Sequence, residues 1–430
     1  MEKIARICYA SGDSRLSLYM HPEVLAYPFI FISLFFEAFL LVTFLSRPAR
    51  AQRERKASIA TPKVAIVVPC WNEENTIGGT VESLLALDYP KDQLSIVLVN
   101  DGSTDGTREV MDSYIGNPQI TVIHKENGGK HSAINLGIER SPDAQFVGCL
   151  DADAFVAPDA LREIISCFDN PRVAAATPAM SVYEPKTLLE RMQNAEFIFG
   201  IALRHIIAAV NGLYVTPGPF SFYRKSVIDE IGGFRHAHQA EDMEMALRIQ
   251  RNGYEIDNAV RARVFAKSPS TVRGLIKQRT RWTTGFLRNV AYEYRDMVGN
   301  ARYGALGILI LPLGFIAVAG GILMFILGIF MSIREAVMTI LITNGVPLSY
   351  TLIPHSLQLF YFPITTLLVL TLVVTGGIMV FIVLGKRVSQ TPGTLVEGMI
   401  AYLILFPFIA PWWLIRSFAD VATGHKRAWR

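Results

Sequence analysis

Short apolar runs alternate with amphipathic stretches through the middle of the chain, and this alternation predicts its fold. The apolar runs are rich in β-branched residues, as buried strands are, whereas the stretches between them show helical periodicity. The predicted strands are residues 64–69, 94–100, 120–124 and 146–150, and the predicted helices between them are residues 76–87 and 130–139. Strands that alternate with helices predict an α/β domain with a largely parallel sheet covered on both faces.

Longer apolar stretches flank this block, one before it and three after it. They are residues 24–45, 304–330, 357–384 and 395–415, each near or above the ~20 residues that cross the hydrocarbon core as a helix. Six basic residues follow the first stretch, up to Lys63, whereas only Lys3, Arg6 and Arg15 precede it. This excess favours an uncleaved anchor with the following domain in the cytoplasm.

The hydropathy pattern thus predicts a multi-pass protein of the plasma (inner) membrane. Its predicted parts are an N-terminal segment (1–23), an anchor (24–45), a basic linker (46–61), a cytoplasmic domain (62–300) and a C-terminal membrane region (301–430). Three crossings after a cytoplasmic domain would place the basic tail HKRAWR outside, against the positive-inside tendency. Either the tail is an exception, or one segment is re-entrant or interfacial. A broken helix is compatible with the prolines at 347, 354, 407 and 411.

Composition and charge exclude several classes of function. The 430 residues are 51% hydrophobic with a net charge of +4, which gives no support for nucleic-acid binding. The four cysteines lack the paired spacing of a disulfide framework or a thiolate metal site. Any chemistry must therefore come from the polar residues of the middle domain.

Polar clusters follow three of the predicted strands. Asn72 and Glu73 follow the first, NDGSTDGT with Asp101 follows the second, and Asp151-Ala152-Asp153 follows the fourth. Parallel sheets bind ligands beyond the carboxyl ends of their strands, so these clusters are expected to converge on one site.

Each cluster has a functional interpretation and a structural alternative. Asp151 and Asp153 offer oxygen ligands to Mg²⁺ or Mn²⁺ beside a substrate phosphate, or they form an ordinary turn or helix cap. Asp101 accepts hydrogen bonds from a nucleotide base or ribose, or its segment simply turns the chain. Lys130, in a Gly-Gly-Lys run that opens a helix, offers a charge to the nucleotide or only starts the helix.

Two later segments complete the candidate site. Glu241 and Asp242 open an amphipathic helix, where Asp242 is a candidate general base and dipole complementation is the alternative. On a further helix Gln278, Arg281 and Trp282 share one face through i, i+3 and i+4 spacing. Arginine grips diphosphate oxygens and tryptophan stacks on sugars, although a basic helix lying on the membrane would show the same pattern.

Taken in order, NDGS, DAD, the Glu-Asp pair and Gln-Arg-Thr-Arg-Trp resemble the membrane-embedded family 2 glycosyltransferases. The resemblance is to the processive branch, which contains cellulose, chitin, hyaluronan and poly-N-acetylglucosamine synthases, and it covers about residues 62–289. It implies a nucleotide-sugar-binding domain of the GT-A type on the cytoplasmic face. It also implies an inverting transfer that uses Mg²⁺ or Mn²⁺.

The resemblance assigns roles residue by residue. Asp101 would hold the uridine of a UDP-sugar, and Asn72 and Glu73 would lie near the nucleotide. Asp151 and Asp153 would bind the donor and its metal. Asp242 would be the base. Gln278, Arg281 and Trp282 would line the diphosphate and the acceptor. Residues 216–225 match the loop that cradles the acceptor end, with Gly218 between two prolines, and Ala240 stands where a threonine is common.

Three functions compete at this stage. The leading one is transfer of a sugar from a UDP-sugar to the non-reducing end of a growing β-linked polysaccharide. UDP-N-acetylglucosamine is the expected donor, and export of the polysaccharide can be coupled to its synthesis. The second is addition of a single sugar to a membrane lipid. The third is a transporter or scaffold that only binds nucleotide, and this one predicts no need for the metal-site carboxylates.

Overall fold

The computed structural model describes residues 22–46, 61–342 and 365–425. Outside these residues lie most of the predicted N-terminal segment and basic linker, the prolines at 347 and 354, and the last five residues of the basic tail. The first part of the span predicted at 357–384 lies outside them as well.

The described strands form one eight-stranded mixed sheet with the order β3-β2-β1-β4-β7-β6-β8-β5. They are β1 Val64–Cys70, β2 Leu94–Asp101, β3 Ile120–Lys125, β4 Phe146–Cys149, β5 Ala154–Val156, β6 Val173–Val182, β7 Ser221–Arg224 and β8 Glu255–Ala266. The first four strands pair in parallel, as predicted. Three antiparallel pairings, β4 with β7, β6 with β7 and β5 with β8, make the other half mixed.

Twelve α-helices occur in the described residues. They are α1 Tyr27–Ser46, α2 Ile77–Leu85, α3 Thr107–Asp112, α4 Lys130–Glu139, α5 Ala160–Ile165, α6 Leu188–Ala208, α7 Lys225–Ile231, α8 Glu241–Arg251, α9 Val272–Arg288, α10 Leu311–Ile342, α11 Thr366–Ser389 and α12 Val396–Ala422. The helices predicted at 76–87 and 130–139 correspond to α2 and α4.

The sheet is buried on both faces because its strands alternate between two cores. In β1, Val67 contributes to the core that contains Ile134 of α4, whereas Ile66 contributes to the core that contains Val81 of α2. Side chains that alternate across a strand produce this division, and helices on both faces are what a parallel sheet requires.

Four described helices are long and apolar enough to cross a membrane, namely Val24–Ser46, Leu306–Met338, Thr366–Ser389 and Val396–Ala422. They correspond to the four predicted apolar stretches. Two of them pack closely on α6: a Cβ on Gly385 of α11 would lie 2.2 Å from the Ile198 carbonyl oxygen, and one on Gly398 of α12 would lie 2.5 Å from that of Arg191. α6 therefore joins the sheet domain to the apolar helices.

Candidate active site

A cavity of about 1400 Å³ lies beyond the carboxyl ends of β1, β2 and β4, and we call it the central cavity. Eleven of the twelve predicted site residues line it. They are Glu73, Asp101, Lys130, Asp151, Asp153, Gly218, Glu241, Asp242, Gln278, Arg281 and Trp282. The twelfth, Asn72, lies in the loop after β1. The structure thus brings together residues that are up to about two hundred positions apart in the chain.

Asn72 joins the loops that follow β1 and β2. Its main-chain N–H donates to Ser103 Oγ over 3.0 Å, and its Oδ1 accepts from the Thr104 N–H over 2.8 Å. The backbone at Asn72 is left-handed, with φ 56°, which asparagine tolerates better than most residues. Asn72 therefore shapes the loop that presents Glu73 to the cavity.

Asp101 is buried at the end of β2. Its Oδ1 accepts from Lys125 Nζ at 2.5 Å and from the Gly128 N–H at 2.9 Å. No described residue donates to its second oxygen, Oδ2. The carboxylate is thus fixed in orientation while one oxygen stays available to a hydrogen-bond donor on a ligand.

Lys130, the first residue of α4, lies between two carboxylates. Its Nζ is 2.5 Å from Asp151 Oδ1 and 3.5 Å from Glu241 Oε1. Burial by itself lowers the pKa of Lys130, but the two carboxylates outweigh it and hold the pKa well above the usual value. Lys130 is a fixed positive charge at the floor of the cavity. Gly218 lies directly against the Lys130 ammonium, because a Cβ at residue 218 would be 2.8 Å from Lys130 Nζ.

Asp151 and Asp153 follow β4 directly, and both face the cavity. Among the described residues, no three histidine, cysteine, aspartate or glutamate side chains come together as a complete metal-binding group. Two carboxylates nevertheless fit a Mg²⁺-type ion, which keeps waters and completes its shell with substrate phosphates. The donor set suits a metal that arrives with a diphosphate.

Asp242, in the first turn of α8, is held at the cavity wall by its backbone. Thr216 Oγ1 donates to the Asp242 carbonyl oxygen over 2.7 Å, and the buried Tyr223 hydroxyl donates to that Oγ1 over 3.0 Å. The carboxylate Oδ1 accepts from the Met243 N–H over 2.8 Å. Burial, followed by the neighbouring Glu241, raises the pKa of Asp242 to about 6. An aspartate with that pKa is ionised at neutral pH and is a stronger base than an exposed one.

α9 presents Gln278, Arg281 and Trp282 to the cavity on one face, as predicted. Arg279 supports this face from behind. Its Nε and Nη2 donate to the two carboxylate oxygens of Glu196 over 2.9 and 2.8 Å, and its Nη1 donates to Gln278 Oε1 over 2.5 Å. The same guanidinium lies 4.2 Å from the ring centroid of Trp282. Arg279 therefore fixes both Gln278 and Trp282.

Sequence reasoning missed Lys125, Thr216, Glu196 and Arg279. A signal existed for Lys125, because it ends β3 and lies opposite Asp101 in the parallel pairing of β3 with β2. Thr216 lies in the segment 216–225 and Arg279 in the Gln-Arg-Thr-Arg-Trp motif, but the pattern assigned a role to neither. Their contacts, like those of Glu196, run across the fold and show no local signal. Glu244, in the same first turn of α8 as Asp242, accepts from the Tyr294 hydroxyl over 2.6 Å and from Arg248 over 2.9 Å.

Comparisons with known proteins agree with this geometry. Residues 65–232 match the model of Glycosyl transferase family 2. Poly-beta-1,6-N-acetyl-D-glucosamine synthase of Staphylococcus epidermidis is 31% identical over 228 residues, which are 52% of this chain and 54% of that protein. The synthase of the same name from Staphylococcus aureus strain MSSA476 is 30% identical over 271 residues, 61% of this chain and 64% of that protein. The chain thus spans between half and two thirds of the length of these curated relatives.

A solved structure shares the fold over nearly the whole chain. The mannosyltransferase PcManGT of Pyrobaculum calidifontis, in complex with GDP-Man and Mn²⁺, aligns with a TM-score of 0.55 and 19% identity over 92% of this chain and 99% of that chain. The predicted GT-A-type fold with apolar helices is therefore confirmed. The matches to the two synthases confirm the resemblance to the processive branch.

Proposed function

Since residues 65–232 form a family 2 glycosyltransferase domain, we propose that the protein is a membrane glycosyltransferase that elongates a β-linked polysaccharide. It transfers a sugar from a UDP-sugar, with inversion, to the non-reducing end of the growing chain. The observation that supports this most is the convergence of Asp101, the DAD carboxylates, Asp242 and the α9 face on the central cavity. A cavity of about 1400 Å³ has room for a nucleotide-sugar and an acceptor together.

The donor is proposed to be UDP-N-acetylglucosamine. The support is the similarity to the two staphylococcal synthases, whose names contain that sugar. Asp101 would accept from the uridine through Oδ2, and Lys130 and Arg281 would face the diphosphate.

A divalent cation, Mg²⁺ or Mn²⁺, would be held by Asp151 and Asp153. When bound, it would stabilise the negative charge that develops on the departing diphosphate. Arg281 offers further positive charge on the same cavity wall, fixed in place by α9.

The proton transfer in this proposal belongs to Asp242. Its carboxylate takes the proton of the acceptor hydroxyl while that oxygen attacks the anomeric carbon from the face opposite the diphosphate. One displacement of this kind inverts the configuration. Trp282, stacked on the Arg279 guanidinium, offers a fixed flat surface for the acceptor sugar.

The test is to incubate the purified full-length protein with a panel of labelled UDP-sugars and Mg²⁺ or Mn²⁺. We expect UDP release and a polymeric product with UDP-N-acetylglucosamine, both lost on chelation. Product size distinguishes elongation from addition of one sugar to a lipid, because the latter gives a single labelled glycolipid. Release of no UDP from any donor would refute the transferase proposal.

The contacts of α12 bear on the topology of the membrane region. Near its start, Glu397 forms an ion pair with Arg191 of α6. At its end, the carbonyl oxygens of Asp420 and His425 accept from Arg288 of α9 over 2.9 and 2.7 Å. Of the residues in the most apolar part of α12, 33% are buried inside the protein, against 11% in each of α10 and α11.

A helix whose two ends both contact the sheet domain does not carry the chain across a bilayer. We therefore propose that α12 lies along the domain at the membrane surface, and that α1, α10 and α11 cross. This arrangement places the end of α12 on the cytoplasmic side with the domain, in agreement with the positive-inside tendency. A protease-cleavable tag after Arg430 should be digested in inside-out vesicles and protected in right-side-out ones. The reverse pattern would favour four crossings.

A further inference from the structure

Arg204, in the last turns of α6, is a cation without a partner among the residues that the structure describes. Its Nε and Nη2 atoms are buried and donate no hydrogen bond, and its guanidinium forms no ion pair with a described carboxylate. Burial lowers the pKa of Arg204 to about 10, and the nearby Tyr214 opposes this effect. The side chain is therefore still charged at neutral pH. Buried charges in proteins are normally paired or bound to a ligand.

Arg204 lines the central cavity at the end that meets the apolar helix α10. Gly314, Ala317 and Val318 of that helix line the same cavity. The ring of Tyr214 packs against Phe286 at 5.7 Å, and Phe286 packs against Phe315 of α10 at 5.7 Å. Arg204 thus lies where the cavity reaches a helix apolar enough to cross the membrane.

This part of the cavity is also next to the candidate base. Tyr214 is two residues before Thr216, whose hydroxyl donates to the Asp242 carbonyl oxygen over 2.7 Å. The nucleotide side of the cavity, by contrast, is formed by the ends of β1, β2 and β4. Arg204 is therefore on the acceptor side of Asp242.

The chemistry of the ligand follows from the charge. A neutral sugar could hydrogen-bond to the guanidinium but would leave the buried positive charge uncompensated. A phosphate compensates it and matches the paired N–H groups of arginine. The apolar wall from α10 suits an alkyl chain attached to that phosphate. A lipid phosphate satisfies both conditions, whereas free phosphate satisfies only the first.

We propose that Arg204 is the centre of an acceptor-side subsite that binds the phosphate group of a membrane lipid. The subsite belongs to the same cavity as the nucleotide and metal residues, at the end that α10 lines. Its description as acceptor-side rests on the proposed function. Its occupancy can be measured without donor or turnover, so failure of lipid binding and failure of the transfer reaction are distinguishable.

The test measures binding to the purified full-length protein in neutral detergent, by thermal unfolding at increasing probe concentration. The probes are phosphatidic acid in mixed micelles, phosphatidylcholine at the same concentration, and inorganic phosphate. The variants are Arg204→Met, Arg204→Lys and Arg302→Gln. Arg302 is an exposed arginine shortly before the same apolar helix, so its variant controls for general attraction of anionic lipid.

We expect phosphatidic acid to stabilise the wild type and Arg302→Gln equally. Arg204→Met should bind it at least ~10-fold more weakly, and Arg204→Lys should lie between, since lysine keeps the charge but not the paired geometry. Equal binding by the wild type and both Arg204 variants would overturn the proposal. Stabilisation by inorganic phosphate as strong as that by phosphatidic acid would overturn the lipid assignment.

A second measurement separates binding from a structural role. Without lipid, Arg204→Met should unfold at the same temperature as the wild type or higher, because it removes an unpaired buried charge. A lower unfolding temperature combined with unchanged binding of phosphatidic acid would make Arg204 a structural residue. Arg204→Lys preserves this comparison if the methionine variant does not fold.

Discussion

Asp242→Asn should lower activity and raise stability, a combination that few substitutions produce. Burial and Glu241 raise the pKa of Asp242 from 3.8 to about 6. One pKa unit corresponds to about 1.4 kcal/mol, so the rise from 3.8 to about 6 means that ionised Asp242 destabilises the folded protein by up to about 3 kcal/mol at neutral pH. Asparagine removes this cost and can still accept the Met243 N–H. It cannot take a proton from an acceptor hydroxyl, which should lower transfer about 10²–10⁴-fold.

The pH dependence of stability follows from the direction of the shift. Because the pKa is higher in the folded than in the unfolded protein, the penalty is small at pH 4, grows as the pH rises from about 4 to about 6, and is complete above that. The unfolding temperature of Asp242→Asn should therefore exceed that of the wild type more at pH 7 than at pH 4. For the wild type, kcat/KM should rise with pH, with its midpoint near 6.

The assay pairs UDP release with thermal unfolding of the same detergent-solubilised preparation. Asp229→Asn is the matched control, because that aspartate lies on α7 with its side chain 55% exposed and pairs with Lys225. The control should change neither quantity. Retention of more than a tenth of wild-type transfer by Asp242→Asn would remove the residue from the base role. A lower unfolding temperature at pH 7 would show that its charge stabilises the fold.

Three further substitutions test other parts of the cavity. Asp153→Ala should lower transfer at least about a hundredfold and abolish its response to added Mn²⁺, and a variant with normal metal response would contradict the ligand assignment. Glu196→Gln should weaken the paired contact that holds Arg279, and so raise the acceptor KM more than the donor KM and change Trp282 fluorescence. Equal effects on both KM values would argue against a role of Arg279 in positioning Trp282 for the acceptor. Gly218→Ala should displace the Lys130 ammonium, which is the end of a flexible side chain, and should be seen as a higher donor KM with the fold retained in circular dichroism.

Much of the domain could be predicted because its signals are local. Alternating and periodic apolar residues predicted β1 to β4 and α2 to within a few residues, and the predicted bounds of α4 agree with the observed Lys130–Glu139. Because parallel strands end at one edge of a sheet, the sequence also predicted that Asp101, Asp151 and Asp153 lie close together. The predicted domain boundaries and the roles of the site residues stay predictions.

The antiparallel half of the sheet could not be predicted in the same way. β7 has only four residues, Ser221–Arg224, and enters between β4 and β6 after the long helix α6. Its direction depends on where α6 and the following loop return the chain. A short apolar run has no feature that specifies its partner or its direction.

The sequence by itself determined the parallel strands β1 to β4, the helices α2 and α4, the apolar helices and the residue types that meet in the cavity. These features depend on hydrophobic periodicity and on polar strand ends, which neighbouring residues specify. Only the tertiary structure decided that Lys125 pairs with Asp101, that Glu196 fixes Arg279 under Trp282, and that both ends of α12 return to the sheet domain. It also decided that Arg204 has no described partner. The physical reason is that pairing and burial of charges depend on distances between residues far apart in the chain, and these distances are set when the strands and helices pack.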